Sequence, residues 1–376
     1  MPAPSAWDEW VHRRNAEVAA SGRRREVRDL DGGAPATTVS ADGRAVVSFA
    51  SNDYLGLSQH PAVIEAARAA TAALGTGSGS ARLIVGSRPV HGALEADLAA
   101  WKGTEAALLF STGFAANLGV LSTLGADPET LIVSDELNHA SIIDGTRLAR
   151  ARVAVAHHAD VDHVAALLDD HAGRAIVVTD SVFSMDGDVA PVDELAAVCA
   201  DRGALLVLDE AHAVLGPPTP TLPGLDVAVV GTLSKALGSL GGFLAAPQAY
   251  VDLLTSTARS FIFTTATPPG DAAAAAAALA IVRSSEGDEL RATLRRHIDR
   301  LLPGHPSPIV PVLLGDEERA LAVADALLER GLLVPAIRPP TVAPGTCRLR
   351  IALSAAHTDD QVDALATALD DLGCPL

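Results

Sequence analysis

Residues 204–235 read ALLVLDEAHAVLGPPTPTLPGLDVAVVGTLSK. Two strand-length runs in it, 204–208 and 227–231, are apolar throughout, the pattern of strands buried on both faces in a parallel sheet. Each ends in polar residues: the first runs into Asp209-Glu210-Ala211-His212, the second into Thr232-Leu233-Ser234-Lys235. In an open parallel sheet, ligands gather outside the carboxyl ends of the strands. The stretch therefore points to an α/β fold and to one edge of it as a site.

Similar apolar runs occur at 106–110, 131–134, 152–156, 175–179 and 242–246, and helix-length segments such as 161–170 and 192–202 separate most of them. This alternation predicts a large, mostly parallel seven-stranded sheet covered by helices. Several runs also end in polar residues. Run 175–179 leads to Asp180 and FSMDGD (183–188), run 131–134 to Asp135 and NHAS (138–141), and run 106–110 to a turn, 111–117, that opens a helix.

Upstream, a basic helical segment precedes a short strand at 45–50, a loop (SNDYLGLSQHP), a helix at 61–74 and a glycine-rich run, GTGSGSARLIVGS (75–87). Downstream, Asp271 is placed to cap a helix through the alanine tract 272–278. From about residue 304 a smaller α+β region follows, with strands at 309–314, 332–337 and 347–353 and helices at 316–330 and from 358. The division expected is an N-terminal segment, 1–45, a large domain, 46–283, and a C-terminal domain, 284–376.

The 376 residues are 49% hydrophobic and 20% charged, the composition of a globular protein. A net charge of -18 argues against nucleic acid as a partner. Three scattered cysteines make no disulfide framework, and no signal peptide or membrane-length apolar run is visible, so a cytoplasmic location is expected. Arg13, Arg14, Arg23, Arg24, Arg25 and Arg28 make the N-terminal segment locally basic. It reads either as a solvated helix face or as a contact for a polyanionic substrate.

The chain has 26 arginines and only two lysines, Lys102 and Lys235. A lysine amine can lose its proton when desolvated and attack an aldehyde, which guanidinium cannot do. Asp209 could hold a pyridine nitrogen protonated, and the helix start at Gly113 and Phe114 offers backbone N–H groups to a phosphate. Taken singly, each residue also has a plain structural role: a cap for Asp209, Ser111 or Thr112, a satisfied buried ring for His212. Gathered at one edge, they suit a pyridoxal-phosphate site. The glycine-rich run lacks the Lys-Ser/Thr of a P-loop and follows a helix, so it is no nucleotide fingerprint. HHADVDH (157–163) has no metal-ligand spacing and is read as surface histidines, with no metal expected. Lys102 stands outside the cluster and is expected at the surface.

The stretches ASNDYLGLSQHP, SARLIVGS, STGFAANLGVL, SDELNHASIIDGTRL, VFSMDGDVAPV, LDEAHAVLG, GTLSKALGSLGGF, ARSFIFTTATPP and AIRPPTVAPGTCRLRIALSAAH run in this order from about residue 49 to 357. Together they resemble the α-oxoamine synthases, a family of fold-type-I pyridoxal-phosphate transferases that act as homodimers with active sites at the subunit interface. The resemblance implies that Lys235 bonds the cofactor and later moves the proton at the substrate α-carbon. Asp209 would pair with the ring nitrogen, His139 stack on the ring, and His212 and Ser184 reach its phenolic oxygen. Thr232, Gly113 and Phe114 would hold the phosphate, with Thr264 or Thr265 reaching it from the neighbouring subunit. Asn52 and Arg350, with Arg338 as a second candidate, would bind the amino-acid carboxylate, and Arg24 an anionic acyl donor.

IRPPTV (337–342) is most similar to the biotin-pathway branch, which implies L-alanine and a pimeloyl thioester, on coenzyme A or acyl carrier protein, as substrates. Alternatives are another α-oxoamine synthase, such as a glycine C-acetyltransferase or 5-aminolevulinate synthase, a fold-type-I aminotransferase, or a non-catalytic partner subunit. The last would lack the lysine that this chain keeps. The sequence departs from the family at GSGSAR and in the short segment after His212, AVLGPPTPTLPG.

Overall fold

The structure is a computed structural model that describes residues 5–25, 27, 30–32, 38–41, 43–374 and 376. Arg28 of the basic segment lies outside the described residues. Helix α1 (Ala6–Ala20) begins at a capping box between Ser5 and Asp8 and buries none of its residues. Strands β1 (Asp31–Gly32), β2 (Thr38–Ala41) and β3 (Arg44–Ser48) follow, then α2 (Pro61–Leu74) and α3 (Pro89–Lys102). The large sheet and its helices come next in the order β4 (Ala106–Phe110), α4 (Gly113–Leu124), β5 (Leu131–Asp135), α5 (Ala140–Leu148), β6 (Arg152–Ala156) and α6 (Val161–Asp169). They continue with β7 (Ala175–Asp180), α7 (Val192–Arg202), β8 (Leu205–Asp209), β9 (Asp226–Thr232) and β10 (Gly242–Ala246).

The seven strands lie in the order β4, β10, β9, β8, β7, β5, β6. Pairs among β5 to β9 are parallel, and β10 alone runs against its neighbours. A parallel neighbour needs a crossover of a dozen residues or more. Only residues 233–241 join β9 to β10, so β10 has to return antiparallel. Alternate residues of one strand serve opposite cores: Ala228 and Val230 pack with Val120 and Leu254, whereas Val229 packs with Leu94, Leu98 and Ala278. This two-sided burial is why the strands read as unbroken apolar runs.

After α8 (Gln248–Thr257) and α9 (Arg259–Ile262), the alanine tract forms α10 (Pro269–Val282). It starts two residues before Asp271, with Pro268 at the cap position and Pro269 as first helical residue. Asp271 is therefore not the cap. A proline needs no acceptor for an N–H at that position, so the helix begins there and Asp271 falls in its first turn. The tract's small side chains let α10 lie against α2: a Cβ on Gly270 would come 2.5 Å from Thr71 Oγ1.

The remaining elements are α11 (Ser285–Leu301), β11 (Ile309–Gly315), α12 (Glu317–Glu329), β12 (Leu332–Leu333), β13 (Ala336–Ile337), β14 (Cys347–Ala352) and α13 (Asp359–Asp371). Strands β11, β14 and β13 form an antiparallel sheet. β12 pairs parallel with β3 and ties the C-terminal region to the chain's beginning. All six residues of β14 are buried, Arg348 and Arg350 included. A buried guanidinium demands partners, and those of Arg350 lie in the large sheet's edge.

Candidate active site

The segment after β9 wraps back on itself, with Gly238 N–H donating to the Lys235 carbonyl at 2.9 Å. This turn carries the Lys235 amine over the carboxyl edge of the sheet, where Nζ lies 2.8 Å from His212 Nε2. Burial pulls the amine below its usual pKa, against the attraction of Asp209 and Asp180. Burial, helped by Lys235 and Arg350, holds His212 well below the normal histidine range, so its ring is neutral. On its other side, His212 Nδ1 is 2.6 Å from the hydroxyl of Tyr54, a fully buried side chain. A buried amine whose pKa is lowered, in contact with a neutral imidazole, is suited to attack an aldehyde.

Asp209, at the end of β8, is 5% exposed. Its Oδ2 accepts from Asn117 Nδ2 at 2.6 Å and its Oδ1 from Ala211 N–H at 2.9 Å. Asn117 also donates to Ser141 Oγ at 2.9 Å, and that hydroxyl meets His139 Nδ1 at 2.8 Å. The parallel register sets Asp180 on β7 directly beside Asp209. Burial and the neighbouring Asp209 charge push the Asp180 carboxyl well above its usual range, while it accepts from His139 N–H at 2.7 Å. Two adjacent buried carboxyls do not both ionise readily. Asp180 is the one held toward its protonated form.

Arg350 joins the C-terminal region to this edge. Its Nε donates to the Ser184 carbonyl at 2.5 Å and a terminal N–H to Asn52 Oδ1 at 3.2 Å. Asn52, His139, Ser184, His212, Lys235 and Arg350 line one cavity of about 900 Å³. Its outer part is apolar, with Leu137, Met185 and Ile337, and Arg23 and Arg25 stand at its rim. Arg24 does not line it.

Does this edge fit pyridoxal phosphate? Thr112 caps α4 by accepting from Ala115 N–H, which leaves the N–H groups of Gly113 and Phe114 without intrahelical acceptors. Gly113 faces Thr232: a Cβ there would come 3.2 Å from Thr232 Cβ and 3.5 Å from its hydroxyl. Free backbone donors at a helix start, with the Thr232 hydroxyl beside Gly113, suit an anion. Phe114 contacts His139 edge-on, with ring centroids 6.4 Å apart. Asn117 Oδ1 is buried without a hydrogen-bond partner among the described residues, as expected where an amide is spent on steering a carboxylate. Amine, carboxylate and anion cradle fit the three functional groups of the cofactor.

Other expectations fare differently. Arg338 lies outside this cavity lining: it donates to the Gly22 carbonyl at 3.3 Å and faces Glu317 at 3.6 Å, so it holds the N-terminal arm rather than the pocket. Thr264 and Thr265 border a separate crevice beside Ser111 and Arg82, and within one chain they do not join the Lys235 cavity. Lys102 is not a surface residue. Its side chain, 12% exposed, is ion-paired with Glu210 (4%) and lies 3.8 Å over the Trp101 ring. In HHADVDH, His157 is exposed but His158 is not a free surface residue: it bridges Asp135 at 3.0 Å and Asp188 at 2.7 Å. Among the described residues, no group of three or more His, Cys, Asp or Glu is arranged to hold a metal, and no helix is long and apolar enough to cross a membrane. Asn117, Ser141 and Tyr54 are site residues that the sequence reading left unassigned. Only their places, inside or beside the stretches STGFAAN, NHAS and SNDYLGL that carry the family resemblance, could have marked them.

The model of the aminotransferase class I and II family matches residues 44–369. Over 385 residues, covering 99% of both chains, the sequence is 49% identical to an 8-amino-7-oxononanoate synthase of Methylobacterium sp. (strain 4-46). The chain belongs to the 8-amino-7-oxononanoate synthase family. It superposes on a serine palmitoyltransferase solved with its pyridoxal-phosphate internal aldimine with a TM-score of 0.88, at 30% identity over the whole of both chains. It also matches an 8-amino-7-oxononanoate synthase of Francisella tularensis with a TM-score of 0.72, at 28% identity over 87% of this chain and 98% of that one. As a member of this family the protein is a pyridoxal-phosphate-dependent enzyme of fold type I.

Proposed function

We propose that the enzyme condenses L-alanine with a pimeloyl thioester, releasing carbon dioxide and the free thiol and forming 8-amino-7-oxononanoate, a step of biotin biosynthesis. The observation that carries this reading is the buried Lys235 amine, whose pKa burial lowers, with Asp209 held by Asn117 in the same edge and Arg350 lining the cavity. Bound there, pyridoxal phosphate supplies an aldehyde for the amine and a pyridinium ring that draws electrons from the substrate α-carbon. Asp209, steered by Asn117, would face the ring nitrogen, and His139 would cover the ring. His212 and Ser184 would attend its phenolic oxygen. Gly113, Phe114 and Thr232 would hold the phosphate.

Arg350 and Asn52 grip the alanine carboxylate through charge-assisted hydrogen bonds. Lys235 would be the group that takes and returns the proton at the substrate α-carbon. The apolar wall of Leu137, Met185 and Ile337 suits the methylene chain of the acyl group. Arg23 and Arg25 at the rim, more than Arg24, are placed to meet the anionic carrier, either coenzyme A or acyl carrier protein. Thr264 or Thr265 reaches the phosphate of the other subunit in a homodimer. Leu83, Ile84, Val85 and Phe263, 50–74% exposed, lie beside the bridge that joins Ala81 to Thr265, and they supply an apolar face for that contact. Residues 46–283 then act as the cofactor domain and 284–376 as the domain that delivers Arg350, while the segment 1–45 contributes Val18, Arg23 and Arg25 to the cavity lining. Three buried free cysteines agree with a reducing, cytoplasmic setting.

The test is a panel of alanine, glycine and serine against acetyl, succinyl, pimeloyl and palmitoyl thioesters, read by free-thiol release. Alanine with the pimeloyl thioester should show the highest kcat/KM. A clear preference for glycine with acetyl-CoA would move the enzyme to the glycine C-acetyltransferases, and a preference for serine with a palmitoyl thioester to the serine palmitoyltransferases.

A further inference from the structure

Tyr54 reaches the reactive lysine through one intermediary. Its hydroxyl is 2.6 Å from His212 Nδ1 and 3.1 Å from Asn52 Oδ1, and His212 Nε2 is 2.8 Å from Lys235 Nζ. A phenol has one proton to donate. The histidine contact is shorter than that to Asn52 Oδ1 by half an ångström, which favours the proton on the line to Nδ1. A neutral imidazole whose Nδ1 accepts must carry its own proton on Nε2. That proton points at Lys235 Nζ.

We propose that Tyr54 is a positioning residue that locks His212 in the Nε2–H tautomer and so keeps a hydrogen-bond donor aimed at Lys235 and at the cofactor oxygen beside it. Burial pushes the phenol up to about 12, so Tyr54 stays a donor through the working pH range. A donor at Nε2 needs a lone pair on Lys235 Nζ, and burial moves that amine toward its uncharged form. The charged and titratable groups around the pair are Arg350, His139, Asp209 and Asp180. None of them lies within hydrogen-bond range of Nδ1 among the described residues, so Tyr54 is the group that acts on the tautomer from the Nδ1 side. With phenylalanine at 54, Nδ1 loses its only donor and the ring is free to carry its proton there. Nε2 then becomes an acceptor, and the nitrogen bonded to the cofactor loses a neighbour that opposes its protonation.

The proposal rests on pyridoxal phosphate occupying this edge, and its test separates the two claims. Cofactor-loaded wild type, Tyr54→Phe, His212→Asn and the double variant are titrated by visible absorbance against pH, with the cofactor Kd measured in parallel. Tyr54→Phe should raise the spectral pKa by about one unit and change the Kd by less than about threefold, since Tyr54 touches no residue of the phosphate cradle. In the His212→Asn background the same substitution should shift nothing. An unchanged spectral pKa, or an equal shift in both backgrounds, overturns the proposal while leaving the cofactor site intact. A wild type that takes up no cofactor would instead overturn the site. Histidine 15N NMR of the loaded wild type decides the case even if the variant does not fold: protonated Nε2 with bare Nδ1 is expected, and the opposite tautomer refutes it.

Discussion

Replacing Lys102 by methionine keeps most of the side chain's volume and removes its charge. In the structure its ammonium is paired with Glu210, whose side chain is only 4% exposed, and the Trp101 ring lies 3.8 Å away. The variant leaves a buried carboxylate with a single neutral partner, the Thr219 hydroxyl at 2.7 Å. Removing one member of a buried pair costs about 3–5 kcal/mol. Glu210 borders a cavity of about 680 Å³ that admits water, so the lower end, about 3 kcal/mol, is expected. Adding Glu210→Gln removes the stranded charge and should restore about 2 kcal/mol of that loss. Urea unfolding of wild type, both single variants and the double variant measures each term. If Lys102→Met costs less than about 1 kcal/mol, as at an exposed lysine, the buried pair is wrong.

His357 provides a pH test. It stacks on Phe49 with centroids 4.3 Å apart, donates from Nε2 to the Ser48 carbonyl and accepts Ser354 N–H at Nδ1. Burial lowers its pKa from 6.5 to about 4. The unfolded chain therefore binds a proton in that window that the folded chain refuses, and stability falls as pH drops through it, by about 3 kcal/mol in all. His357→Gln should flatten this part of a urea-midpoint series from pH 7 to 4; an unchanged slope would show that His357 takes up its proton in the folded state. At the rim, Arg23→Glu with Arg25→Glu should raise the thioester KM about tenfold at low salt and abolish its salt dependence. The KM for alanine should hold, and a matching rise there would mean that the arm shapes the floor of the pocket.

The sheet and the lysine edge were legible because both depend on local pattern. Val227 to Gly231 is apolar because both its faces are covered, and a strand's end is where its polar residues must stand. Helix α2 reads directly from Pro61 to Leu74 for the same reason: proline starts it and Gly75 ends it. What stayed hidden depends on partners far along the chain. Nothing near Lys102 announces Glu210, 108 residues away, and nothing near Tyr54 announces His212, 158 residues away. Arg338 and Arg350 look alike in sequence, yet only Arg350 lies on a buried strand that ends against Ser184 and Asn52. Asp271 was misread because a proline two residues earlier already starts the helix.

The central claim is that Lys235, alone of the chain's two lysines, carries the cofactor chemistry. Purified enzyme loaded with pyridoxal phosphate should be yellow. Borohydride reduction followed by peptide mapping should then place one pyridoxyl group per chain on Lys235 and none on Lys102. Lys235→Arg, which keeps the charge, should lose both the visible band and thiol release from the pimeloyl thioester. A label on Lys102, or a coloured and active Lys235→Arg enzyme, would contradict the account.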